Sequence, residues 1–434
     1  MKTKMPAAPT RDGNGPFEMR SEARQLFAAL AKATADPEMG ITRDAYGKGE
    51  QTALDILKSF SEDHDLDAGV DACGNLVVSL VGKKPSKPCI VCGSHLDSVP
   101  RGGNYDGAAG IVAGLICLAG MKADDCIPQR TIKVFGLRCE ESAWFGKSYV
   151  GASALFGQLN HDDLAAMHRN RNITLADALE TVGADIDAIR QGKILLDPRQ
   201  AAMFLELHIE QGPVLVARDM STAIVTGIRG AIRHKQVICR GQAGHSGAVP
   251  RWLRRDAVFA VSELICNLDE HWRVLMERGL DLVVTFGIIG TNPDEHAMTR
   301  IPGEVAFSFE VRSQSNEALE AFYGLMQTEC RRLEANRRVS FEFDRRLFSA
   351  PAVMSGRIIE RLKKASVRLG LPAETIPSGA GHDAAVFANA GIPSAMIFVR
   401  NQKGSHNPDE SMDMEDFLNG AALLHQILSE EPER

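Results

Sequence analysis

A chain of 434 residues exceeds the length over which one hydrophobic core keeps growing, so at least two domains are expected. A hydrophobic fraction of 44% and a charged fraction of 24%, with glycine and proline spread along the chain, exclude a fibrous or low-complexity protein. The formal charge of −7 and pI near 6.0 exclude a broad basic surface for nucleic acid or anionic lipid.

The first fifteen residues are polar and broken by Pro and Gly, without the apolar core of a signal peptide. No later stretch is long and uncharged enough to cross a bilayer. A cytoplasmic location without membrane or nucleic-acid partners is the expectation, and the nine scattered cysteines read as reduced thiols in apolar sites.

From Pro16 to Phe60, Phe27, Leu30, Ala31 and Ala35, then Ala53, Leu54, Leu57 and Phe60, recur at helical spacing and predict two leading helices. Asn75–Leu80 and Cys89–Cys92 are β-rich runs, the second wholly apolar, as in a buried parallel strand. Gly107–Ala119 is small and apolar enough for a buried helix. Thr131–Leu137 and Met203–Leu207 read as further strands, separated by a mostly helical stretch from Gly151 to Gln200.

Near Thr222 the texture changes. Ala223–Val225, Lys235–Cys239, Leu282–Phe286 and Glu304–Phe309 predict strands, with amphipathic helices over Arg254–Arg278 and Asn316–Asn336 among them. This is the pattern of an antiparallel sheet with helices, a smaller α+β unit inserted in a larger α/β chain. After Ala350 the alternation resumes with a helix over Gly356–Leu369 and a strand over Ser394–Val399. The expected fold is α/β, a mixed and largely parallel sheet flanked by helices. Residues 1–220 and 351–434 form one domain and 221–350 the inserted one.

Four polar clusters follow the predicted parallel strands: Ser94–Asp97, Cys139–Glu141, His208–Gln211 and Ser405–Pro408. Carboxyl ends of strands in open α/β sheets share one rim, where ligands bind. The rim holds three histidines and several carboxylates, a ligand set suited to zinc, manganese, cobalt or nickel. Asp106, after a glycine-rich turn, adds a carboxylate; one carboxylate shared by two cations holds them roughly 3.5–4 Å apart.

The strings GSHLDSVPRGGNYDGAAG, EESAWFG, LELHIEQGP, GQAGHSGAVP with RRDA, SGAGHDA and SHNPDE, in this order, resemble the family of N-carbamoyl-L-amino-acid hydrolases, β-ureidopropionases and allantoate amidohydrolases, a branch of the dimetal aminoacylase and carboxypeptidase group. The resemblance runs from about residue 20 to the C-terminus. It implies a hydrolase of linear amides with two divalent cations per subunit, held by His95, Asp106, Glu141, His208 and His406, with Asp106 bridging. It further implies Glu140 as general base, Asp97 as the group that orients His95, and His245 as stabiliser of the oxyanion. Gln211, Arg312, Thr299 and His382 are the implied substrate-binding residues, Arg312 gripping a carboxylate with a fork that Lys lacks. The inserted unit becomes a lid and homodimerisation domain, with hinges near Arg218–Thr222 and Phe348–Pro351.

Two departures from the family pattern stand out. Thr299 replaces an asparagine and Trp144 an arginine, which together suggest a bulkier or flatter acyl group than a plain ureido unit. Three rival functions remain in view. A zinc deaminase would use His208-Ile209-Glu210 with Cys89 and Cys92, but the motif order is reversed and a strand offset of three points those thiols to opposite faces. An aminoacylase or dipeptidase would share the cations, and a silent binding protein would have no use for Glu140.

Overall fold

The computed structural model describes residues 16–430; the polar N-terminal stretch read above as lacking a signal peptide lies outside them. Helix α1 (Arg20–Ala33) buries Ala23, Leu26, Phe27 and Leu30, and α2 (Lys48–Asp63) buries Ala53, Leu54 and Leu57, one apolar stripe each. Strands β1 (Asp67–Val70) and β2 (Leu76–Leu80) follow, then β3 (Cys89–His95), every residue of which is buried. Helix α3 (Ala108–Ala123) is buried from Ala108 to Met121, and its small residues let it lie close to the sheet: a Cβ on Gly110 would stand 2.3 Å from the Leu207 carbonyl oxygen.

After β4 (Ile132–Leu137) come the short helices α4 (Val150–Leu155), α5 (His161–Leu164), α6 (Leu175–Thr181) and α7 (Ile186–Arg190), the middle two closed by capping boxes from Asn160 and Thr174. Strand β5 (Ala201–Ile209), α8 (Val214–Ala217) and β6 (Thr222–Ile228) complete this half.

The next segment contains β7 (Gly230–Arg240), β8 (Gly244–His245), α9 (Ala257–Glu277), β9 (Val283–Thr285), β10 (Ile289–Gly290), β11 (Arg300–Ile301), β12 (Glu304–Ser313), α10 (Asn316–Arg337), β13 (Ser340–Phe343) and β14 (Leu347–Ser349). The chain ends with β15 (Ala352–Val353), α11 (Gly356–Leu369), β16 (Thr375–Ser378), α12 (Asp383–Asn389), β17 (Ser394–Val399), β18 (Asn401–Gln402), β19 (Ser411–Met412) and α13 (Met414–Ser429).

Residues up to Thr226 and from Val353 onward form one compact unit, and Gly227–Ala352 a second. In the larger unit the sheet runs β1-β2-β4-β3-β5-β17-β6-β15, with β16 beside β6. The pairs β4-β3, β3-β5 and β5-β17 are parallel, while β1, β2 and β6 add antiparallel edges. The mixed, mainly parallel sheet with flanking helices is therefore as the sequence predicts. From β3 the chain passes to β4 on one side and later returns to β5 on the other, so β3 and β5 flank a topological switch point.

The smaller unit has an antiparallel sheet ordered β10-β12-β7-β13, with β9 on β12 and β14 on β7. Along β12 every second side chain is buried, and Val305, Phe307, Phe309 and Val311 meet Leu264 of α9 and Phe322 and Met326 of α10 in its core. Asp256 caps α9 by accepting from the Val258 and Phe259 amides.

Three expectations are corrected. Strands β3 and β5 extend through His95 and Ile209, so the first and third polar clusters begin inside the strands rather than past them. Ser405–Pro408 does not directly follow β17, because the β18 segment intervenes. Ala223–Val225 pairs not with the inserted sheet but with β17, since Thr222, Ala223 and Ile224 register against Val399, Phe398 and Ile397 in the larger sheet. Among the described residues no helix is long and apolar enough to cross a membrane. All nine cysteines are free, seven buried and two, Cys126 and Cys266, exposed.

Between α2 and the end of β4 lies a buried ion pair, with Arg138 Nε donating to Glu50 Oε2 at 2.6 Å. Glu50 also accepts from the Tyr46 amide at 2.7 Å and the Cys139 amide at 3.3 Å, and Arg138 Nη2 donates to Gln51 at 3.0 Å. Burial pushes the Glu50 carboxyl up to about 7 despite the guanidinium beside it. Removing one partner strands the other charge, so Glu50→Ala or Arg138→Met is expected to cost roughly 3–5 kcal/mol. Denaturant melts of the whole chain check this; a loss under about 1 kcal/mol would show that the pair does not hold the two elements together.

Candidate metal centre

The last residues of β3 and β5 bring two imidazoles together. His95 Nε2 and His208 Nε2 stand 3.4 Å apart, both buried. The other ring nitrogen of each is engaged: His95 Nδ1 with the Asp97 carbonyl at 3.0 Å, His208 Nδ1 with the Ile209 carbonyl at 2.9 Å. Carbonyls only accept, so Nδ1 carries the proton in the neutral rings and both Nε2 lone pairs face inward. The Gly107 amide donates to His208 Nε2 at 3.3 Å, in keeping with that tautomer.

Asp106 meets them from the mouth of α3. Its Oδ1 lies 3.2 Å from His208 Nε2 and 3.7 Å from His95 Nε2, and is buried with no hydrogen-bond donor. Its Oδ2 lies 3.3 Å from His406 Nε2, which is 2.9 Å from Glu141 Oε1. One carboxylate thus faces two groups of ligands: His95 and His208 on one oxygen, His406 and Glu141 on the other. Gly107 makes the approach possible, with φ +66° and a position where any Cβ would stand 2.5 Å from the His95 ring.

The electrostatics follow from the crowding. Burial alone would lower the His95 and His208 pKa values, but Asp106, joined by Asp97 and Glu140 at His95 and by Glu206 at His208, outweighs it and raises both. Asp106 and Glu141 raise His406 to about 10. Burial would push Asp106 upward, yet the three imidazoles hold it well below the usual carboxylate range. Two divalent cations fit the donor set, because an orphaned buried carboxylate oxygen and convergent imidazole lone pairs are what such ions use.

Glu206, His208 and His382 form a third cluster of potential ligands, but its donors are committed. Glu206 accepts from the Ser94 hydroxyl at 2.7 Å and the Ala384 amide at 2.8 Å, and His382 Nε2 pairs with the Ser378 hydroxyl at 2.9 Å. His382 instead packs its ring edge on His208, centroids 4.5 Å apart, and burial lowers its pKa.

Asp97 accepts from the Glu140 amide at 2.9 Å and the Glu141 amide at 3.1 Å, and its Oδ1 lies 3.6 Å from His95 Nδ1. It therefore ties the end of β3 to the turn after β4. Glu140 is buried, and desolvation, reinforced by Glu141, Asp383 and Asp97 against the pull of His95, raises its pKa well above normal. Gln211 donates from Nε2 to Asp106 Oδ2 at 2.9 Å. Cys139, Gln211 and His406 all have positive φ, a backbone region that non-glycine residues seldom adopt.

In the smaller unit, β8 pairs with β11, setting His245 opposite Arg300, and the Ser246 amide donates to the Thr299 carbonyl at 2.8 Å. His245 and Thr299 are thus exposed neighbours. The Gly247 amide donates to His245 Nδ1 at 3.2 Å, so the neutral ring carries its proton on Nε2 as a donor. Arg312 is half-buried on β12, its Nε 2.9 Å from Glu310.

Trp144 corrects an expectation. Only 3% exposed, it stacks on His168 at 5.5 Å and donates from Nε1 to the Ser98 carbonyl at 2.8 Å. The indole braces the loop after Asp97 rather than opening room for a bulky acyl group.

Sequence reasoning missed three buried acids. Glu206 is hidden inside an apolar strand. Glu410 accepts from the Tyr105 and Asp106 amides at 2.8 and 3.2 Å and from the Ser405 hydroxyl at 2.6 Å. Asp383, 1% exposed, has no donor to either oxygen, and burial raises its pKa. Glu410 and Asp383 lie inside the SHNPDE and SGAGHDA strings, which were the available signal.

The comparisons with known proteins identify the family. The chain is 32% identical to an N-carbamoyl-L-amino acid amidohydrolase of Geobacillus stearothermophilus, over 93% of this chain and 96% of the relative. It is 30% identical to the allantoate amidohydrolase of Escherichia coli, over 94% and 97%. A hydantoinase/carbamoylase family amidase from Burkholderia ambifaria superposes with a TM-score of 0.83 at 27% identity, covering 94% of this chain and 95% of that one. The model of peptidase family M20/M25/M40 matches residues 91–430, and the chain is a hydrolase that belongs to this family.

Proposed function

We propose that the chain is a metal-dependent amidohydrolase of ureido compounds, cleaving the C–N bond of an N-carbamoyl amino acid or an allantoate-like substrate that carries a carboxylate. The observation that carries this reading is Asp106, whose two oxygens face separate sets of ligands. The named relatives supply the substrate class. The burial of Trp144 removes one of the two reasons for a bulkier amide, and the named relatives do not favour one.

His95, His208 and Asp106 would hold one cation and Asp106, Glu141 and His406 the other, of the zinc, manganese, cobalt or nickel class. Such ions supply Lewis acidity toward the amide carbonyl and make water acidic enough to attack at neutral pH. Glu140 takes the proton from that water and returns it to the leaving nitrogen, a role suited to a carboxyl whose basicity burial has raised. Asp97 keeps Glu140 and Glu141 in place through their amides. Gln211 steadies Asp106 and offers its carboxamide to substrate. His382 and Thr299 complete the substrate-binding set.

In the smaller unit, Arg312 grips the substrate carboxylate and His245 donates its Nε2 proton to the developing oxyanion. This unit acts as lid and homodimerisation domain, its sheet edges at β10 and β13 open to pairing. The protein works in the cytoplasm. Collapse of the tetrahedral adduct releases an amine, and carbamate from a carbamoyl substrate decomposes to carbon dioxide and ammonia.

The direct test measures ammonia and amine release from N-carbamoyl amino acids, allantoate, N-acetyl amino acids and dipeptides, using chelator-stripped protein with each cation restored. Metal-dependent release from a ureido substrate is expected; turnover confined to dipeptides or N-acetyl compounds would refute the assignment. Glu140→Gln should lower kcat by about 10²–10⁴ while cation binding persists, and near-normal kcat would remove the assigned base. Arg312→Lys should raise KM by about tenfold or more, the value of a lost charge-assisted bond, with a smaller effect on kcat. An unchanged KM would move carboxylate binding elsewhere.

A further inference from the structure

Arg43 lies in the loop between α1 and α2, far in sequence from every residue of the metal centre, and is completely buried. Its backbone is lashed to the loop that separates Asp97 from Asp106. The Arg43 amide donates to the Ser98 hydroxyl at 3.0 Å, the Ser98 amide returns a bond to the Arg43 carbonyl at 3.0 Å, and Ile41 and Gly102 exchange a reciprocal pair at 3.0 and 2.8 Å. Its guanidinium spans the same loop further on. Nε donates to the Thr34 hydroxyl at 3.2 Å, Nη1 and Nη2 donate to the Asn104 carbonyl at 3.3 Å, and Nη2 also donates to the Asn104 side-chain oxygen.

All of these acceptors are neutral, an unusual setting for a buried cation, whose desolvation must be offset by something. The offset comes through space: burial lowers the guanidinium pKa and Glu410, Asp106 and Asp97 oppose it, leaving it at about 10 and charged at neutral pH. From Asn104 the restraint passes along two peptide units to Asp106. Glu410 holds the Tyr105 and Asp106 amides from the other side, and the Ser405 hydroxyl bridges Glu410 Oε2 and Asp106 Oδ2 at 2.6 Å each.

We propose that Arg43 is a positioning residue, whose planar fork fixes the Asn104–Asp106 segment so that the Asp106 carboxylate faces both ligand groups. This rests on the dimetal reading above and adds a determinant of cation affinity that touches neither cation nor substrate. The fork, rather than the charge alone, does the positioning, because Lys cannot donate to the Asn104 carbonyl and side chain with one rigid plane.

The test titrates manganese into chelator-stripped wild type, Arg43→Lys and Asn104→Ala by calorimetry, alongside the thermal melting of each stripped protein. Arg43→Lys keeps the charge, and Asn104→Ala keeps Arg43 itself while removing one of its acceptors. Manganese affinity is expected to fall about 10–100-fold in Arg43→Lys, the usual cost of losing a group that orients a ligand, and in the same direction in Asn104→Ala. Folded variants with wild-type affinity, even with lowered melting temperatures, would overturn the proposal and leave Arg43 a structural residue. Wild-type protein that binds neither manganese nor, on repeating the titration, zinc, cobalt or nickel would instead overturn the dimetal reading, and this inference with it. Two-site binding without hydrolysis of any ureido substrate would count against the assigned activity alone, and the affinity comparison would still decide the role of Arg43.

Discussion

Two imidazole lone pairs and a carboxylate oxygen pointed at one another in a buried space repel unless positive charge lies between them, and the candidate metal centre is built around that constraint. His95, His208 and Asp106 are held in this arrangement by further bonds: each imidazole Nδ1 to a backbone carbonyl, Asp106 Oδ2 accepting from Ser405 and Gln211, and the Asp106 amide donating to Glu410. These three ligands are oriented by bonds made elsewhere in the chain, while His406 is half exposed, so the buried half of the site is organised before any cation arrives.

The architecture explains how residues so distant in sequence come together. Parallel pairing of β4, β3, β5 and β17 aligns their carboxyl ends, and the reversal of strand order between β3 and β5 leaves a crevice there. His95 and His208 are within or at the ends of the two strands that flank it, and α3 begins beside them with Asp106 just before its first turn. Close packing of α3 through Gly107 and Gly110 brings that carboxylate within reach of the imidazoles. The ion pair of Glu50 and Arg138 plays the matching part on the other side, because Glu50 accepts from the amide of Cys139, the residue before Glu140.

Much of this was legible in the sequence. The apolar β-branched runs at Cys89–Cys92, Thr131–Leu137 and Ser394–Val399 could only be buried strands, and polar residues at their ends stood out against them. The positions that were not legible depend on partners remote in the chain. Glu206 sits between two leucines and would pass for an alternation in an amphipathic strand; only the Ala384 amide and Ser94 hydroxyl show why a carboxylate is tolerated there. Arg43 resembles any loop arginine until Asn104 and Ser98 are seen around it. Trp144 was misread for the same reason, since its burial is decided by His168 and the Ser98 carbonyl, neither of which its own neighbourhood in the sequence reveals. Ala223–Val225 shares its β-propensity with the inserted strands, and propensity does not say which sheet a strand will join.

The central claim is that one carboxylate, Asp106, serves two cations. It is tested most directly by measuring cation stoichiometry, with equilibrium dialysis and elemental analysis of chelator-stripped protein and its Asp106→Ala variant after reloading. Two ions per chain are expected in the wild type, with loss of tight binding at both positions in the variant. Retention of one full-affinity ion by a folded Asp106→Ala protein, or a wild type that never exceeds one, would contradict the shared-carboxylate arrangement.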